Sequence, residues 1–367
     1  MKNYFLYFLV SLLLLVPLQP QAQIQTDTLP VASSVSIDQQ ENPLFKNEEV
    51  LQFRITMDMK TVLKDRGEER GYHPAVISYK DKGGTEVLVP FKIMVRGNRR
   101  RDPTICGFPP LMLNFSRKTV EKTVFGKVNK LKLVTHCNGH EYVLREYLVY
   151  KLYNTITDHS FRARLCKIEY VDQAGKRKTE SQYGFLLEDD VDMARRNKGE
   201  IVKKELALKM DETNKLAMAK VAMFQYMIGN TDWSVPYRHN IRLLSLDSLQ
   251  APFPVPYDFD YSGIVSTPYA VPPPELGITS VRHRLFRGYS FPDETYKEVI
   301  NTFNRHKTNF YTIYQQNSLI DERYRKQTLK FLDEFYETIN DPKSFHKKIV
   351  RVGEQNSKGT VVITGLK

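Results

Sequence analysis

Cysteine and tryptophan are both scarce in this chain of 367 residues, which has three cysteines and one tryptophan. No two cysteines have the Cys-x-x-Cys spacing of a zinc site, and no Cys/His spacing indicates one. The sequence therefore argues against zinc-finger and zinc-ribbon proteins. In an oxidising compartment two of Cys106, Cys137 and Cys166 could form a disulfide and leave one thiol over, and the sequence does not give the connectivity.

Long apolar runs are lacking too, except at the start of the chain. Lys2 precedes an apolar run over residues 5–16, and a Pro/Gln-rich segment then ends in Ala22. This order is typical of a secretory signal peptide, and the run is shorter than the roughly 20 residues needed to cross a bilayer. We therefore expect residues 1–22 to be a signal peptide and residues 23–43 a flexible linker. The mature protein is expected in a periplasm or outside the cell, without a transmembrane segment.

Acidic residues are outnumbered, with 42 Asp or Glu against 54 Lys or Arg and a net charge of +12. The basic residues are scattered along the chain, and an exported protein rarely meets a genome. We therefore expect no nucleic-acid partner, but a solvated basic surface with local anion sites. Hydrophobic residues make up 41% of the chain, which is enough for a sizeable core in the about 310 residues after the linker.

The pattern of apolar residues divides the chain into two lobes. Residues 44–187 contain alternating strand-like segments with turn residues between them, and one inserted helix is predicted at 141–156. Residues 188–352 are predicted to form a mostly helical lobe, and 353–367 a loose tail. The fold class is therefore expected to be α+β, with a strand-rich N-terminal lobe and a mostly helical C-terminal lobe.

Within the second lobe, a strongly amphipathic helix is predicted to end at Gly229–Asn230, because glycine commonly ends helices. A loop, a short strand, a turn and the segment "VPYDFD" follow, which indicates a hairpin. Two further helices, predicted at about 293–315 and 321–340, close the lobe.

The most informative stretches are "MIGNTDWSVPYRHNIRLL" (227–244) and "VPYDFDYSG" (255–263). Kinase-type sites use an Asp that accepts the hydroxyl proton, then an Asn that binds metal, then a second metal-binding Asp beyond a hairpin. Asp232, Asn240 and Asp258 have these types in this order, and carboxylate and amide oxygens suit Mg²⁺. Each residue alone could be an ordinary turn or strand-entry residue. Their common order favours a phosphoryl-transfer site.

With "RGNRRR", "VLREYLVYKLYN" and "YGFLLEDD", these stretches resemble the CotH-like family of secreted atypical kinases over roughly residues 85–265. The resemblance implies a bilobal protein-kinase-like fold and ATP-dependent phosphorylation, often of secreted proteins. It implies that Asp232 is the catalytic Asp. Asn240 and Asp258 would be metal ligands, with Asp260 as a supporting carboxylate.

The resemblance further implies that a basic turn covers the phosphates of the nucleotide. That turn is made of Arg96, Gly97 and Asn98. It has one glycine rather than a cluster, so phosphate binding would rely on arginine side chains as well as backbone N–H groups. The chain also departs from the family in the segment "CGFPPLMLNF", where members often carry lysines. A lysine that contacts ATP must therefore lie elsewhere.

Lys132 is the candidate for that lysine, since it lies on a predicted strand just before the helix that carries Glu146. The two could form the Lys–Glu pair that positions the α- and β-phosphates, or both could face solvent. Glu188, where the lobes would join, could lie near the nucleotide base or be a hinge-surface charge.

Three functions are compatible with these patterns. The first is an exported phosphotransferase that uses ATP or another nucleotide, with Mg²⁺ or Mn²⁺, and a hydroxyl acceptor on a secreted protein, a glycan or a small molecule. The second is a non-catalytic kinase-like module that binds a polyanion or a partner protein through its basic surface; the missing lysines favour it and the retained Asp–Asn–Asp set argues against it. The third is a hydrolase with Asp232 and Asp258 as a carboxylate pair, which gives Asn240 no role.

Overall fold

The computed structural model describes residues 42–359. They form a closed β-barrel, followed by a mostly helical region that also contains a three-stranded sheet. The predicted signal peptide (1–22), nearly all of the linker and residues 360–367 lie outside the described residues. The strands are β1 (Leu51–Met57), β2 (His73–Lys80), β3 (Glu86–Val95), β4 (Leu111–Asn114), β5 (Lys130–Val134), β6 (Ala163–Asp172), β7 (Glu180–Leu187), β8 (Glu200–Ile201), β9 (Ile241–Ser245) and β10 (Phe253–Pro256). The helices are α1 (Pro43–Lys46), α2 (Met59–Lys64), α3 (Arg117–Val120), α4 (His140–Ile156), α5 (Asp190–Arg196), α6 (Lys215–Ile228), α7 (Asp293–Gln315), α8 (Glu322–Asn340), α9 (Pro342–Phe345) and α10 (Arg351–Lys358).

The barrel has the strand order β1-β2-β3-β4-β5-β7-β6. Neighbouring strands are antiparallel except β1 and β6, whose parallel pairing in the register Leu51 to Cys166 closes the sheet. In β1 every second side chain is buried, from Leu51 to Met57, and such inward-facing residues fill the interior. The α+β class and the strand-rich first half agree with the expectation. A closed seven-stranded barrel, however, is not the usual N-terminal lobe of a protein kinase.

Helix α4 connects the barrel to the helical region. It packs against β7 on the barrel and against α7, and most of its side chains are buried. Its apolar residues belong to the same core as those of α6, α7 and α8. Because the helix is covered on several sides, its one buried carboxylate, Glu146, lies inside the junction rather than in solvent.

The loop that carries Asp232 starts where α6 ends, at Gly229. This residue has φ +67°, and an added Cβ would lie 2.9 Å from the carbonyl oxygen of Val281, so glycine is required for two reasons. The predicted helix stop is confirmed. Beyond the loop, β9 pairs antiparallel with β10 and with the short β8 to form a three-stranded sheet.

The last helices agree with the sequence pattern, and the tail does not. α7 has the predicted bounds, and α8 begins one residue later than predicted because Asp321 caps it by accepting from the Tyr324 N–H. Residues 353–358, expected to be loose, are helical, since Asn356 donates to the carbonyls of Phe286 and Gly288. Within residues 42–359 no helix is both long and apolar enough to span a membrane.

Candidate functional site

A cleft of about 630 Å³ contains most of the residues singled out from the sequence. This volume lies in the usual range for small-molecule sites. Its walls come from the β3–β4 connection, β5, the loop after α6 and the β9–β10 hairpin. The polar residues that line it are Asp232, Asn240, Asp258 and Asp260, the cations Arg70, Arg96, Arg99, Arg100, Lys132, Lys203, Lys204, Arg238 and Arg242, and also Asn98, His239, Tyr237, Tyr257 and Tyr261. Glu146 and Glu188 are not among the lining residues.

Asp232 is held by two residues at the end of the same loop, directly before β9. Its Oδ1 lies 2.9 Å from His239 Nε2, and its Oδ2 accepts from Asn240 Nδ2 at 3.0 Å. Asn240 Nδ2 also donates to the backbone carbonyl of Asp232 at 2.8 Å. These contacts fix the orientation of the Asp232 carboxylate. They leave Asn240 Oδ1, the atom a cation would bind, without a hydrogen bond among the described residues.

The backbone is strained at the same place. Asn240 and Asp258 have φ of +51° and +61°, and Arg238 also has φ of +51°. Such left-handed conformations cost free energy for residues other than glycine, and they concentrate at functional sites. Asn and Asp tolerate this region better than other residue types. The strain therefore marks the Asn240 and Asp258 positions as candidates for a functional role.

On the buried side of the cleft, Arg100 contacts three carboxylates. Its Nη2 lies 2.7 Å from Asp258 Oδ1, and its Nη1 and Nε lie 3.3 Å from Glu146 Oε2 and Asp260 Oδ2. Burial lowers the pKa of Arg100, but the three carboxylates outweigh it and hold this pKa well above its ordinary value. Arg100 is therefore a permanent cation at the centre of three acids.

The two more deeply buried acids also have raised pKa values, but here burial is the cause. Burial raises the pKa of Glu146 and of Asp260 above their ordinary values, and Arg100 only partly offsets this. Asp260 also accepts a hydrogen bond from the Tyr269 hydroxyl at 2.9 Å. Asp258 is the more accessible carboxylate, with a third of its side chain exposed. Of these acids, it is the one best placed to meet a ligand.

The basic turn predicted to cover phosphates does line the cleft. Gly97 has φ +95°, a conformation that suits glycine, and it lets the chain turn from β3 into the 3-10 turn Arg99–Arg101. Arg96 is a half-buried residue, and its guanidinium has no hydrogen bond or ion pair among the described residues. Burial lowers the pKa of Arg96, while Asp258 opposes the shift. Arg96 is thus a cation whose hydrogen-bonding capacity is left for an anion.

The predicted pairing of Lys132 with Glu146 is wrong. Lys132 Nζ lies 2.5 Å from Asp190 Oδ1, and Glu146 is bound by Arg100 instead. Because β5 pairs with β7 in the register Lys132 to Leu187, the lysine lies beside the residues that follow β7. Burial raises the pKa of Asp190, but Lys132 and Arg242 outweigh it and lower the net value. Lys132 still lines the cleft, in a different ion pair.

Glu188 is not positioned to contact a nucleotide base in the cleft. It is buried, and its two oxygens lie 3.0 Å from Nε and Nη2 of Arg196. It also accepts the backbone N–H of Arg162. This two-bond arrangement makes Glu188 a structural partner of α5. The earlier alternatives, a base contact or a surface charge at a hinge, do not describe it.

The donor set fits a divalent cation that also has ligands from elsewhere. Within residues 42–359, no three His, Cys, Asp or Glu side chains are arranged to hold an ion by themselves. Mg²⁺ is commonly held by one or two carboxylates together with substrate phosphates and water. Asp258 and the Oδ1 of Asn240 would supply such a partial set. Asp260, buried behind Arg100 and Tyr269, would act as a supporting charge.

Sequence reasoning did not identify Arg100, Asp190, Arg242 or His239. Arg242 donates to Asp190 at 2.5 Å and lies over the ring of Tyr257, so it forms the wall next to Lys132. His239 stands directly before Asn240, and its place in the "YRHN" motif could have suggested a contact with Asp232. Nothing in the run of three arginines indicates that Arg100, rather than Arg99 or Arg101, is the buried one.

Comparison with known proteins gives only a weak likeness. No family model matches the chain, and no curated protein matches it. Among solved structures, the chain is similar to the crystal structure of a Helicobacter pylori proinflammatory kinase, CtkA, with 10% sequence identity and a TM-score of 0.34. The match covers 80% of this chain and 94% of that one. A TM-score this low does not establish a shared fold, so the function must be argued from the cleft.

Proposed function

We propose that the protein is an exported phosphotransferase of the CotH-like kind. It transfers the terminal phosphoryl group of ATP, or of another nucleotide, to a hydroxyl group of a secreted protein, a glycan or a small molecule. Mg²⁺ or Mn²⁺ is the expected cofactor. The observation that carries the proposal is that one cleft combines oxygen ligands for a hard cation with side-chain cations for a polyphosphate.

The cationic side of the cleft is suited to the nucleotide phosphates. Arg96 has free donors, and Lys132 and Arg242 line the same cleft. Arginine binds phosphate oxygens through paired donors, and lysine binds them as a point charge. Phosphoryl transfer depends on such positioning and charge stabilisation more than on covalent participation of the protein. These residues would align the phosphate chain toward Asp258.

Asp232 has the role of the general base in this proposal. Its carboxylate would accept the proton of the acceptor hydroxyl while the hydroxyl oxygen bonds to the γ-phosphorus. The bond from that phosphorus to the β–γ bridging oxygen breaks, and the nucleoside diphosphate leaves. His239 and Asn240 keep the carboxylate in one orientation. A divalent cation held by Asp258 and Asn240 would supply charge neutralisation at the phosphates.

The transfer of γ-phosphate tests this proposal. We expect the wild-type protein, incubated with γ-labelled ATP and Mg²⁺ or Mn²⁺, to release label as phosphate or to carry it to an acceptor. Asp232→Ala should abolish this turnover and retain nucleotide binding, because Asp232 is not a proposed phosphate or metal ligand. Asp211→Ala, an exposed Asp outside the cleft lining, is the control. Turnover by Asp232→Ala equal to that of the wild type would refute the role of Asp232.

A non-catalytic polyanion-binding module is the second candidate. Its support is the lining of the cleft, where nine Arg or Lys residues stand against three Asp. Such a surface attracts anions whether or not a metal is present. A module of this kind would bind polyphosphate or heparin in the presence of EDTA and would leave γ-labelled ATP intact. The phosphotransferase requires the metal for tight nucleotide binding.

A further inference from the structure

The guanidinium of Arg100 contacts three carboxylates, each through one short distance. The contact with Asp258 is 2.7 Å, whereas the contacts with Glu146 and Asp260 are both 3.3 Å. A guanidinium often binds one carboxylate through two parallel hydrogen bonds, because its planar donors match the two oxygens. Arg100 forms no such two-bond pair. It contacts all three acids but gives none of them a second hydrogen bond.

One oxygen of the Glu146 carboxylate lacks a hydrogen bond. Its Oε2 faces Arg100, but its Oε1 is buried and has no hydrogen-bond partner among the described residues. Buried carboxylate oxygens are rarely left in this state, because the lost hydration is then not replaced. If Arg100 paired with Glu146 alone through two parallel hydrogen bonds, both oxygens would have a partner. Asp258 would then be released from Arg100.

We propose that Arg100 is a positioning residue that exchanges Asp258 for Glu146 when a divalent cation binds. In the free protein Arg100 neutralises Asp258. When a cation takes that carboxylate, the guanidinium moves onto both oxygens of Glu146, where it stays buried and paired. The inference rests on the proposed function for the identity of the ligand, a cation with a nucleotide.

The exchange has a consequence for the order of binding. Arg100 and the cation compete for Asp258, so a cation without nucleotide binds weakly. A nucleotide adds phosphate oxygens to the coordination and shifts the competition toward the cation. Arg100 thus couples occupancy of the metal site to the presence of the nucleotide.

A calorimetric titration of the protein with Mn²⁺ alone tests the exchange. It measures metal affinity and does not depend on catalytic activity. Arg100→Gln removes the competitor, so the dissociation constant for Mn²⁺ should fall about tenfold, the equivalent of one charge-assisted hydrogen bond. Arg101→Gln is the matched control, since it removes the same charge from the same turn but its side chain pairs with the exposed Glu68. Equal Mn²⁺ affinity in Arg100→Gln and the wild type would overturn the proposal.

A double-mutant cycle with Glu146 separates exchange from simple charge. Glu146→Gln should weaken Mn²⁺ binding in the wild-type background, because Arg100 then loses the carboxylate onto which it is proposed to move. The remaining acid besides Asp258 is Asp260, one oxygen of which already accepts from the Tyr269 hydroxyl. In the Arg100→Gln background the same substitution should have no effect. An equal effect in both backgrounds would show that Glu146 acts by charge alone and would contradict the exchange. If Arg100→Gln does not fold, comparison of Glu146→Gln with the double variant, which removes one buried charge of each sign, tests the competition between Arg100 and the cation for Asp258. The double variant should bind Mn²⁺ more tightly than Glu146→Gln, and equal affinities would overturn the proposal.

The outcome for the exchange is distinguishable from the outcome for the proposed function. The Mn²⁺ titrations contain no nucleotide. An unchanged affinity of Arg100→Gln for Mn²⁺ would therefore contradict the exchange without contradicting phosphoryl transfer. A wild-type protein that binds no ATP would sink the proposed function. Tighter Mn²⁺ binding by Arg100→Gln would still support the exchange in that case.

Discussion

Removal of the disulfide between Cys106 and Cys137 should lower the free energy of unfolding by about 3.7 kcal/mol. The two cysteines are separated by 31 positions, and their Cα atoms lie 4.8 Å apart. For a loop of this length the chain-entropy relation gives about 12 cal/mol/K, which is about 3.7 kcal/mol at 25 °C. The closed loop contains β4, α3 and β5, so the cross-link restricts the chain of two of the seven barrel strands in the unfolded state.

The native structure should survive without the cross-link, because hydrogen bonds join the same two segments. The Phe108 N–H donates to the Cys137 carbonyl at 3.1 Å. Asn138 accepts from the Gly107 N–H at 2.7 Å and donates to the Ile105 carbonyl at 2.6 Å. The loss of stability should therefore arise mainly from the greater freedom of the unfolded chain.

Urea unfolding followed by the fluorescence of Trp233, the single and buried tryptophan, measures this loss. With a slope of about 3 kcal/mol per molar urea, Cys106→Ser/Cys137→Ser should unfold about 1 M earlier than the oxidised wild type. Cys166→Ala, which removes the buried free thiol, should keep its sensitivity to a reducing agent, and the double variant should lose it. A loss below about 1 kcal/mol, or a double variant that a reductant still destabilises, would refute the reasoning.

Two further predictions concern buried titratable side chains that do not line the cleft. Burial lowers the pKa of His136 from its ordinary 6.5 to about 4, so the stability that its neutral form contributes is complete above pH 6.5 and is lost as the pH falls toward 4. Between about pH 7.5 and pH 5 this amounts to about 2 kcal/mol. Urea unfolding should therefore show a loss of stability over this range that is about 2 kcal/mol larger in the wild type than in His136→Gln, because His159 and His306, whose pKa values are also lowered, titrate in both proteins. Glu188→Gln should destabilise the fold by about 3 kcal/mol, because Arg196 is left buried without its partner, and should leave nucleotide affinity unchanged. A weaker affinity for ATP in the folded Glu188→Gln variant, measured by calorimetry, would contradict this and show that Glu188 contributes to nucleotide binding.

The parts of the site that could be predicted from the sequence are those set by local structure. Gly229 ends a helix, a hairpin follows, and both features are encoded within about 30 residues of chain. Asp232, Asn240 and Asp258 were therefore predicted to lie together, and all three line the cleft. Local patterns fix where such residues stand relative to one another, because few long-range contacts intervene.

The parts that could not be predicted depend on long-range pairing. Arg100 contacts Glu146 and Asp258, which lie 46 and 158 positions away. Its orientation is decided by a 3-10 turn that buries one of three identical neighbours. Alternation correctly placed Lys132 on a strand, but its partner Asp190 follows from the pairing of β5 with β7, which the pattern of apolar residues does not specify. Closure of the barrel by β1 and β6 is of the same kind.

Metal-dependent binding of a nucleotide is the central claim, and thermal unfolding with and without ATP and Mg²⁺ or Mn²⁺ tests it most directly. A ligand that binds only the native state adds about 2.7 kcal/mol of stability at a hundredfold excess over its dissociation constant. We predict a higher melting temperature only when nucleotide and metal are both present. Asp258→Asn should abolish the increase, and Asp247→Asn, the same change at the exposed turn of the same hairpin, should retain it. No increase with either metal at millimolar ATP, or an undiminished increase in Asp258→Asn, would contradict the account.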